Sequence, residues 1–429
     1  MMREYNPITL ICCVLLFLVP VDNLSAEASS STVENYQSAR IELVRAYGAG
    51  DYESMRSAAR RALQFRPGYP NALFNLALAQ VLDNDAAASM QTLLDLASVE
   101  VDFGVAEIEE FTPLKDLLEW GDYQARISRL FDPVGVTEVA ARLEVPDFVP
   151  EGIAVSASGV LFLGSITKGV LVRLDDEPQT LSTPDNGHWS VFGMRFDNSG
   201  GLWFASAAVP QFGLETDDAG RSGLFRLSPS DGEISHSALL PAAEDAQLLG
   251  DLVIADDDTL YATDSISGAL YRYRVQQRRF EIVVKSGVFG SPQGLALDTS
   301  GDYLYVADYT GGLYRVATSN GAVQKVRIRT NVTDYGIDGL YRHGDQLIAI
   351  QNGIRPHRVI ALTLGDDGSS ITAATTLAAN LEEFDEPTLG AVLGDDFYFV
   401  ANSHWNRFDR ENRLPDGLSG PIVLRLPLN

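Results

Sequence analysis

Carboxylate and amide side chains recur beside a glycine at the start of short apolar segments. The four positions are Glu151, Asp251, Gln293 and Asp338. Clustered oxygen atoms of this kind repel one another unless protons or a cation intervene. A hard cation such as Ca²⁺ takes about six to eight oxygen ligands and suits such a cluster. The alternative interpretation is that these side chains cap strand ends or hold water.

A second group of polar residues follows the next apolar segment of each unit. Asp264 and Asp308 stand in almost the same context, Tyr-Ala-Thr-Asp and Tyr-Val-Ala-Asp, which is typical of structural caps at turns. The long charged loop 402–420 contains His404 and Trp405, and loops of that length are uncommon unless they are functional or mobile. We predict a substrate pocket walled by Arg355, His357, Asn402 and His404. For His404 the alternative is a solvated surface histidine.

Six units of about 45 residues position these side chains. Each opens with a glycine and an apolar strand, continues through a polar turn into a second strand, and ends in a third. The openings are Glu151-Gly152-Ile153, Phe192-Gly193-Met194, Gly250-Asp251-Leu252, Gln293-Gly294-Leu295, Asp338-Gly339-Leu340 and Leu389-Gly390-Ala391. This recurrence predicts a six-bladed β-propeller over residues 138–429. We expect residues 140–145 to complete the sixth blade and remove an open sheet edge.

A propeller brings the starts of its innermost strands to one mouth of a central channel. Glu151, Asp251, Gln293 and Asp338 are therefore expected to converge there although they are far apart in the chain. Phe192 and Leu389 occupy the corresponding positions of the two remaining units.

Residues 36–131 show a helical pattern, with apolar residues at three- and four-residue spacing. The turn Gly50-Asp51 recurs as Asn84-Asp85, 34 positions later. Two repeats resembling tetratricopeptide repeats are predicted, followed by a helical tail over 105–130; a plain helical bundle is the alternative. The predicted fold class is thus α + β and multidomain: a helical repeat domain precedes an all-β propeller.

The first 28 residues read as a cleaved secretion signal, with residues 29–35 as a polar linker. An uncharged run over 8–21 is short for a membrane span and is followed by Ala26-Glu27-Ala28. We expect a periplasmic or secreted protein with no membrane span in its mature form; an uncleaved anchor is the alternative. Both cysteines, Cys12 and Cys13, lie in this segment, so the mature chain has no thiol chemistry.

The composition excludes several classes of function. The 429 residues carry 32 Lys and Arg against 58 Asp and Glu, a net charge of −26, which becomes −24 after removal of residues 1–28. Such a chain repels nucleic acid and anionic membranes. Nucleophile-elbow, phosphate-loop, dinucleotide-binding and His-Glu-x-x-His motifs are absent from the sequence.

The propeller segment resembles the SMP-30/gluconolactonase family. The resemblance rests on Pro150-Glu151-Gly152, Pro292-Gln293-Gly294 and Ile337-Asp338-Gly339. It implies one divalent cation, most simply Ca²⁺, bound by Glu151, Gln293 and Asp338, with Asp338 also a candidate general base. Gln293 departs from the Asn of the family, and Ile337 departs from its Pro.

Two hypotheses follow. In the first, the protein is an exported, metal-dependent hydrolase of a small-molecule lactone or ester, with Asp338 or Asp251 as the base. In the second, it is a non-catalytic scaffold or sensor, whose helical repeats bind a protein partner and whose propeller binds a ligand. The helical domain motivates the second hypothesis, since a simple hydrolase needs no repeat module.

Overall fold

The structure, a computed structural model, describes residues 31–212, 214, 216–409 and 412–428. Of these, residues 31–132 form a helical unit with the segments Asn331–Tyr335 and Ile354–Pro356, and the remaining described residues form a propeller unit. The predicted secretion signal lies outside the described residues, so export stays a prediction. Within the described ranges, no helix has the length and apolarity needed to cross a membrane.

The helical unit contains five described α-helices. They are α1 (Thr32–Ala49), α2 (Tyr52–Phe65), α3 (Pro70–Leu82), α4 (Ala86–Ser98) and α5 (Glu119–Ser128). Between α4 and α5 the chain forms 3₁₀ turns at Val105–Glu107 and Glu109–Asp116, and a further 3₁₀ turn at Arg129–Phe131 follows α5. The predicted helical tail is therefore interrupted, and Pro113 lies inside its longest 3₁₀ segment.

The predicted linker 29–35 was wrong in its second half, because α1 already begins at Thr32. Ser31 accepts a hydrogen bond from the backbone N–H of Glu34, and the Glu34 carboxylate accepts one from the backbone N–H of Ser31. This reciprocal pair satisfies two N–H groups at the helix start. The polar residues that suggested a linker are thus a helix cap.

The repeated turns of the helical unit share one geometry. Gly50 and Asn84 both have positive φ angles, 70° and 61°, and each is followed by an aspartate that caps the next helix. Asp51 accepts from the N–H of Ser54, and Asp85 accepts from the N–H of Ala88. The two predicted helix hairpins, α1–α2 and α3–α4, are therefore present.

The propeller unit has six antiparallel sheets arranged as blades. Blade 1 is β2 (Pro150–Val155), β3 (Leu161–Ser165), β4 (Leu171–Leu174) and β5 (Gln179–Ser182); blade 2 is β6 (Ser190–Phe196), β7 (Leu202–Ala207), β8 (Ser222–Leu227) and β9 (Ile234–Leu239). Blade 3 is β10 (Leu249–Ile254), β11 (Thr259–Asp264), β12 (Leu270–Arg274) and β13 (Arg279–Val284). Blade 4 is β14 (Pro292–Leu297), β15 (Tyr303–Asp308), β16 (Gly312–Ala317) and β17 (Val323–Lys325).

Blade 5 has an extra strand. It contains β19 (Ile337–His343), β20 (Gln346–Gln351), β21 (Arg358–Leu364) and β22 (Ser370–Ala379), and the short β18 (Arg327–Ile328) pairs with β22 in parallel. Blade 6 combines β23 (Gly390–Leu393), β24 (Asp396–Val400) and β25 (Ile422–Pro427) with β1 (Glu138–Arg142).

The ring closes as the sequence predicts. β1 pairs antiparallel with β25, which leaves no unpaired outer strand on the last blade. The pairing segment lies two residues earlier than the predicted start at Ala140. The apolar core is built from side chains of facing blades, such as Trp203 and Tyr273 or Leu270 and Leu304, all buried.

The glycines that open the blades allow adjacent inner strands to approach closely. A Cβ on Gly152 would lie 2.0 Å from the carbonyl oxygen of Phe192, and one on Gly294 would lie 2.4 Å from the backbone nitrogen of Leu340. Backbone atoms cannot move aside as a flexible side chain can, so these positions need glycine.

We expect Gly294→Ala to lower the free energy of unfolding by about 1–3 kcal/mol, because the added methyl overpacks two inner strands. Gly121→Ala is the control, since no atom lies within 4 Å of a Cβ there and the residue is helical. Urea denaturation measures both, and equal effects would contradict the close-approach argument.

Candidate functional site at the channel mouth

The inner strands present their polar residues through a repeated β-bulge. The register between first and second strands shifts between Pro150 and Ile153 in blade 1, and between Ile337 and Leu340 in blade 5. Blades 2, 3 and 4 shift at the same place beside their glycines. A bulge changes the direction in which a side chain points. The bulges in blades 1 and 5 therefore allow Glu151 and Asp338 to reach a common site.

Glu151 and Asp338 form a linked acid pair. The hydroxyl oxygen of Thr388 lies 2.9 Å from Glu151 Oε2 and 2.9 Å from Asp338 Oδ2. The indole N–H of Trp405 donates to Glu151 Oε2 at 2.7 Å, and the amide of Asn352 donates to Asp338 Oδ2 at 2.7 Å. Glu151 and Thr388 are buried, whereas Asp338 is half-buried. Residues of blades 1, 5 and 6 thus meet at the two carboxylates.

Burial raises the pKa of both acids. The pKa of Glu151 lies well above its usual value because of desolvation and then repulsion from Asp338, against the opposing hydrogen bonds from Trp405 and Thr388. The pKa of Asp338 is also raised by desolvation. Desolvation therefore disfavours ionisation of both carboxyls.

The Thr388 hydroxyl joins the two acids, since its oxygen lies 2.9 Å from Glu151 Oε2 and 2.9 Å from Asp338 Oδ2. A hydroxyl has one proton to donate and can also accept a hydrogen bond. Thr388 can therefore donate to one carboxylate at a time.

Asp251, the other predicted base, forms an ion pair with Arg195. Its Oδ2 lies 3.1 Å from Arg195 Nη2, and its Oδ1 accepts from the N–H of Leu252. Arg195 also stacks over the ring of Tyr341 in blade 5, with 4.9 Å between guanidinium carbon and ring centre. Burial, partly offset by Arg195, raises the pKa of Asp251 to about 6. The role of Asp251 as a base stays a prediction.

Gln293 is held by serines. Its amide oxygen accepts from Ser265 Oγ at 3.1 Å, and its amide nitrogen donates to Ser291 Oγ at 2.9 Å. The structure thus brings two of the three predicted metal ligands, Glu151 and Asp338, together through Thr388. Gln293 as a ligand stays a prediction.

The predicted pocket residues Asn402 and His404 are buried in hydrogen bonds that hold their own loop. Asn402 Oδ1 accepts from the N–H of Ile422, and His404 Nε2 lies 3.0 Å from the carbonyl oxygen of Ser419. His404 Nδ1 lies 3.4 Å from Asp385 Oδ2. His404 is only 3% exposed, which contradicts the alternative of a solvated surface histidine. A contact of either residue with substrate stays a prediction.

Two further pocket predictions concern blade 5. His357 follows the cis peptide Arg355-Pro356 in sequence and belongs to the propeller unit, whereas Arg355 belongs to the helical unit.

Asp264 and Asp308 have the predicted capping role, since each accepts hydrogen bonds from loop N–H groups: Asp264 from Leu248 and Asp308 from Ser291.

Oxygen donors for a cation are present at the acid pair. Asn352 Oδ1 is buried without a hydrogen-bond partner, although its amide nitrogen contacts Asp338. In the part of the chain that the structure describes, no three acidic, histidine or cysteine side chains could hold a metal by themselves. A cation at this place would therefore rely on neutral oxygens as well. Two carboxylates, the Thr388 hydroxyl and the Asn352 amide form a hard-oxygen set that fits Ca²⁺.

Several residues of the site escaped the sequence analysis. Thr388 precedes the repeated glycine by two residues, and Arg195 follows its glycine by two. Neither is an acid beside a glycine, so the repeated pattern of acids does not include them. Trp405 was seen only as part of a long loop. No repeated pattern in the sequence indicates that Glu386 lies beside the site, because its position depends on the conformation of its loop.

A separate cavity of about 710 Å³ lies at the other ends of the inner strands. Its lining includes Arg195, Tyr341 and Asp256. Val155 and Arg342, which also line it, lie at the ends of β2 and β19, whereas Glu151 and Asp338 lie at the starts of these strands. The acid pair and the cavity therefore belong to opposite ends of the channel.

Glu386 adds a titrating group beside the site. Burial and the negative charge of Asp338 raise its pKa to about 8, against a hydrogen bond from the N–H of Asn406. Between the unfolded pKa near 4.5 and 8 the folded protein therefore holds one more proton than the unfolded chain. The free energy of unfolding falls as pH rises through this window, by at most about 1.4 kcal/mol per pH unit.

We expect Glu386→Gln to weaken this pH dependence and to raise stability at pH 8, because Gln keeps the acceptor without the charge. Urea denaturation at several pH values in chelator-treated buffer measures it. An unchanged slope in the variant would show that Glu386 does not titrate in this range.

Known proteins resemble the chain only in fold. A scan against protein-family models finds no match, and no curated protein sequence matches. Similar solved structures include a PQQ-bound aldose sugar dehydrogenase from Streptomyces coelicolor, with 14% identity and a TM-score of 0.48 over 68% of this chain and 98% of that one. A putative gluconolactonase has 15% identity and a TM-score of 0.47 over 68% of this chain and 94% of that one. The calcium-binding protein regucalcin from Agrobacterium tumefaciens has 15% identity and a TM-score of 0.48 over 67% of this chain and 93% of that one.

Proposed function

We propose that the propeller unit hydrolyses a small-molecule lactone or ester at the Glu151–Asp338 pair. The observation that carries the proposal is the shared Thr388 hydroxyl, 2.9 Å from a carboxylate oxygen of each acid. This link brings together two acids whose pKa values are both raised. A carboxylate with a raised pKa can take a proton from water and later return it, as general acid–base catalysis requires.

The residues present account for each proton. Asp338 removes a proton from water, and the water oxygen forms a bond to the carbonyl carbon. When the tetrahedral intermediate collapses, the bond from that carbon to the leaving oxygen breaks. The departing alkoxide takes the proton that Asp338 removed from water, so Asp338 is ionised again at the end of the cycle. Half-burial of Asp338 leaves it accessible to water.

A divalent cation is part of this proposal. Glu151, Asp338, Thr388 and Asn352 would hold it, and Ca²⁺ suits their oxygens. When bound, the cation supplies Lewis-acid polarisation of the carbonyl group. The unpartnered Asn352 Oδ1 supports this part of the proposal.

The test is hydrolysis of dihydrocoumarin, δ-valerolactone, gluconolactone and phenyl acetate in a pH-stat, before and after chelation and with Ca²⁺ restored. We expect turnover of at least one substrate by the full chain, dependent on the cation, and a large loss in Glu151→Gln. Calorimetric titration with Ca²⁺ gives a readout that does not depend on activity.

The matched control is Asp256→Asn, an exposed acid at the opposite end of the channel. It removes the same charge and is expected to leave turnover unchanged. No hydrolysis of any of the four substrates with Ca²⁺ present, or equal activity in Glu151→Gln and wild type, would contradict the proposal.

A further inference from the structure

One side of the acid pair is bounded by an aromatic cluster from two loops. Phe212 meets Trp405 edge to face, with 4.9 Å between ring centres, and lies 5.6 Å from Phe408. Trp405 and Phe408 are 6.0 Å apart. Phe212 is 1% exposed, whereas Trp405 and Phe408 are half-buried. We call these three residues the aromatic wall; its solvent-facing part consists of Trp405 and Phe408.

The wall is fixed in place beside the acid pair. Asp385 forms an ion pair with Arg407, and Glu386 accepts from the N–H of Asn406 at 2.6 Å. Both contacts clamp the turn Trp405–Arg407 onto the segment that leads to Thr388. The indole N–H of Trp405 is committed to Glu151. The ring therefore cannot turn away without breaking contacts of the acid pair itself.

Polar side chains near the wall are already used within the protein. Asn402 and His404 hold their own loop, and Arg407 is paired with Asp385. The carbon face of a polyhydroxylated ring can stack on an aromatic ring, but its hydroxyl groups would lose hydrogen bonds to water at the wall without gaining these side chains as partners, which is unfavourable. An aromatic or alkyl substituent would gain by leaving water there.

We propose that the aromatic wall selects lactones or esters that carry an aromatic or apolar substituent, and disfavours sugar lactones. Phe408 is the specificity-determining residue and Trp405 joins the wall to the acid pair. This inference rests on the proposed function, since it places the substrate's carbonyl at Glu151 and Asp338.

Binding of inert ring amides tests recognition without turnover. The probes are dihydroquinolinone, the lactam that corresponds to dihydrocoumarin, and gluconolactam, the lactam that corresponds to gluconolactone. Calorimetry on the full-length mature chain and on Asp338→Asn is expected to show at least 10-fold tighter binding of dihydroquinolinone. Phe408→Ala should weaken that binding about 10-fold or more, because a half-buried aromatic contact is lost.

Three further variants separate recognition from folding and from catalysis. Phe408→Leu keeps apolar packing in the loop and should give an intermediate loss. Trp405→Phe keeps the wall but removes the N–H, so binding should change less than about 3-fold while hydrolysis falls. Ile282→Ala, at an apolar residue 60% exposed elsewhere on the propeller, is the control and should change neither.

Each outcome decides between the two proposals. Equal or tighter binding of gluconolactam, no binding of either lactam, or unchanged binding in Phe408→Ala would overturn the selectivity inference. Phe408-dependent lactam binding without hydrolysis of any lactone or ester would support the inference and reject the proposed function. Faster turnover of gluconolactone than of dihydrocoumarin would support the function and overturn the inference.

Discussion

Asp338→Asn is expected to reduce kcat/KM for lactone hydrolysis about 100-fold or more, since a positioned general base contributes about 10²–10⁴. The substitution keeps the shape of the side chain and an acceptor for Thr388 and Asn352, which lie 2.9 and 2.7 Å from Asp338 Oδ2. It removes the group that takes the proton from water. Substrate binding, measured with dihydroquinolinone, should change little, so the loss should fall on kcat.

The same variant should not lose stability. Asp338 raises the pKa of Glu151 by repulsion, and Asn removes that repulsion together with a desolvated charge. The combination of a lost rate with a retained or raised free energy of unfolding distinguishes a catalytic group from a structural one. Asp256→Asn again provides the control. A kcat within a few-fold of wild type in Asp338→Asn would exclude this residue as the base.

Arg195→Met is expected to lower the free energy of unfolding of the propeller by about 3–5 kcal/mol, because it leaves the buried Asp251 without its partner. The two side chains are 17% and 2% exposed and lie 3.1 Å apart. Arg195 also crosses to the ring of Tyr341, whose hydroxyl accepts from the N–H of Gly390. The guanidinium therefore ties blade 2 to blades 3, 5 and 6.

A double-mutant cycle checks the cause. Asp251→Asn removes the other charge, and Arg195→Met combined with Asp251→Asn should cost clearly less than the sum of the single changes. The surface pair Arg279–Glu281, 3.9 Å apart with Arg279 69% exposed, is the matched control, and Arg279→Met should cost no more than about 1 kcal/mol. Additive losses in the cycle would mean that the Arg195–Asp251 contact is not the source of the stability.

The sequence by itself determined the propeller, because a blade is a local unit. Turn residues, period-2 alternation and a recurring glycine act within about 45 residues, and six copies of them predict six blades and the completion of the last blade by β1. The N-terminal hairpins followed from equally local signals at Gly50-Asp51 and Asn84-Asp85. Glu151 and Asp338 were predicted to converge for the same reason: a repeat in a closed ring places equivalent positions around one axis.

Only the tertiary structure decided which neighbours those acids have. Three contacts join residues up to 254 positions apart in the chain. They are the hydrogen bond from Thr388 to Glu151, the hydrogen bond from the Trp405 N–H to Glu151, and the ion pair of Arg195 with Asp251. No local pattern encodes such contacts, since they depend on bulge geometry, on the path of two long loops and on which charge is most desolvated. Gln293 and Asp338 look equivalent beside their glycines, yet Gln293 is hydrogen-bonded to serines and Asp338 to Thr388 and Asn352, because side-chain orientation is set by packing across blades.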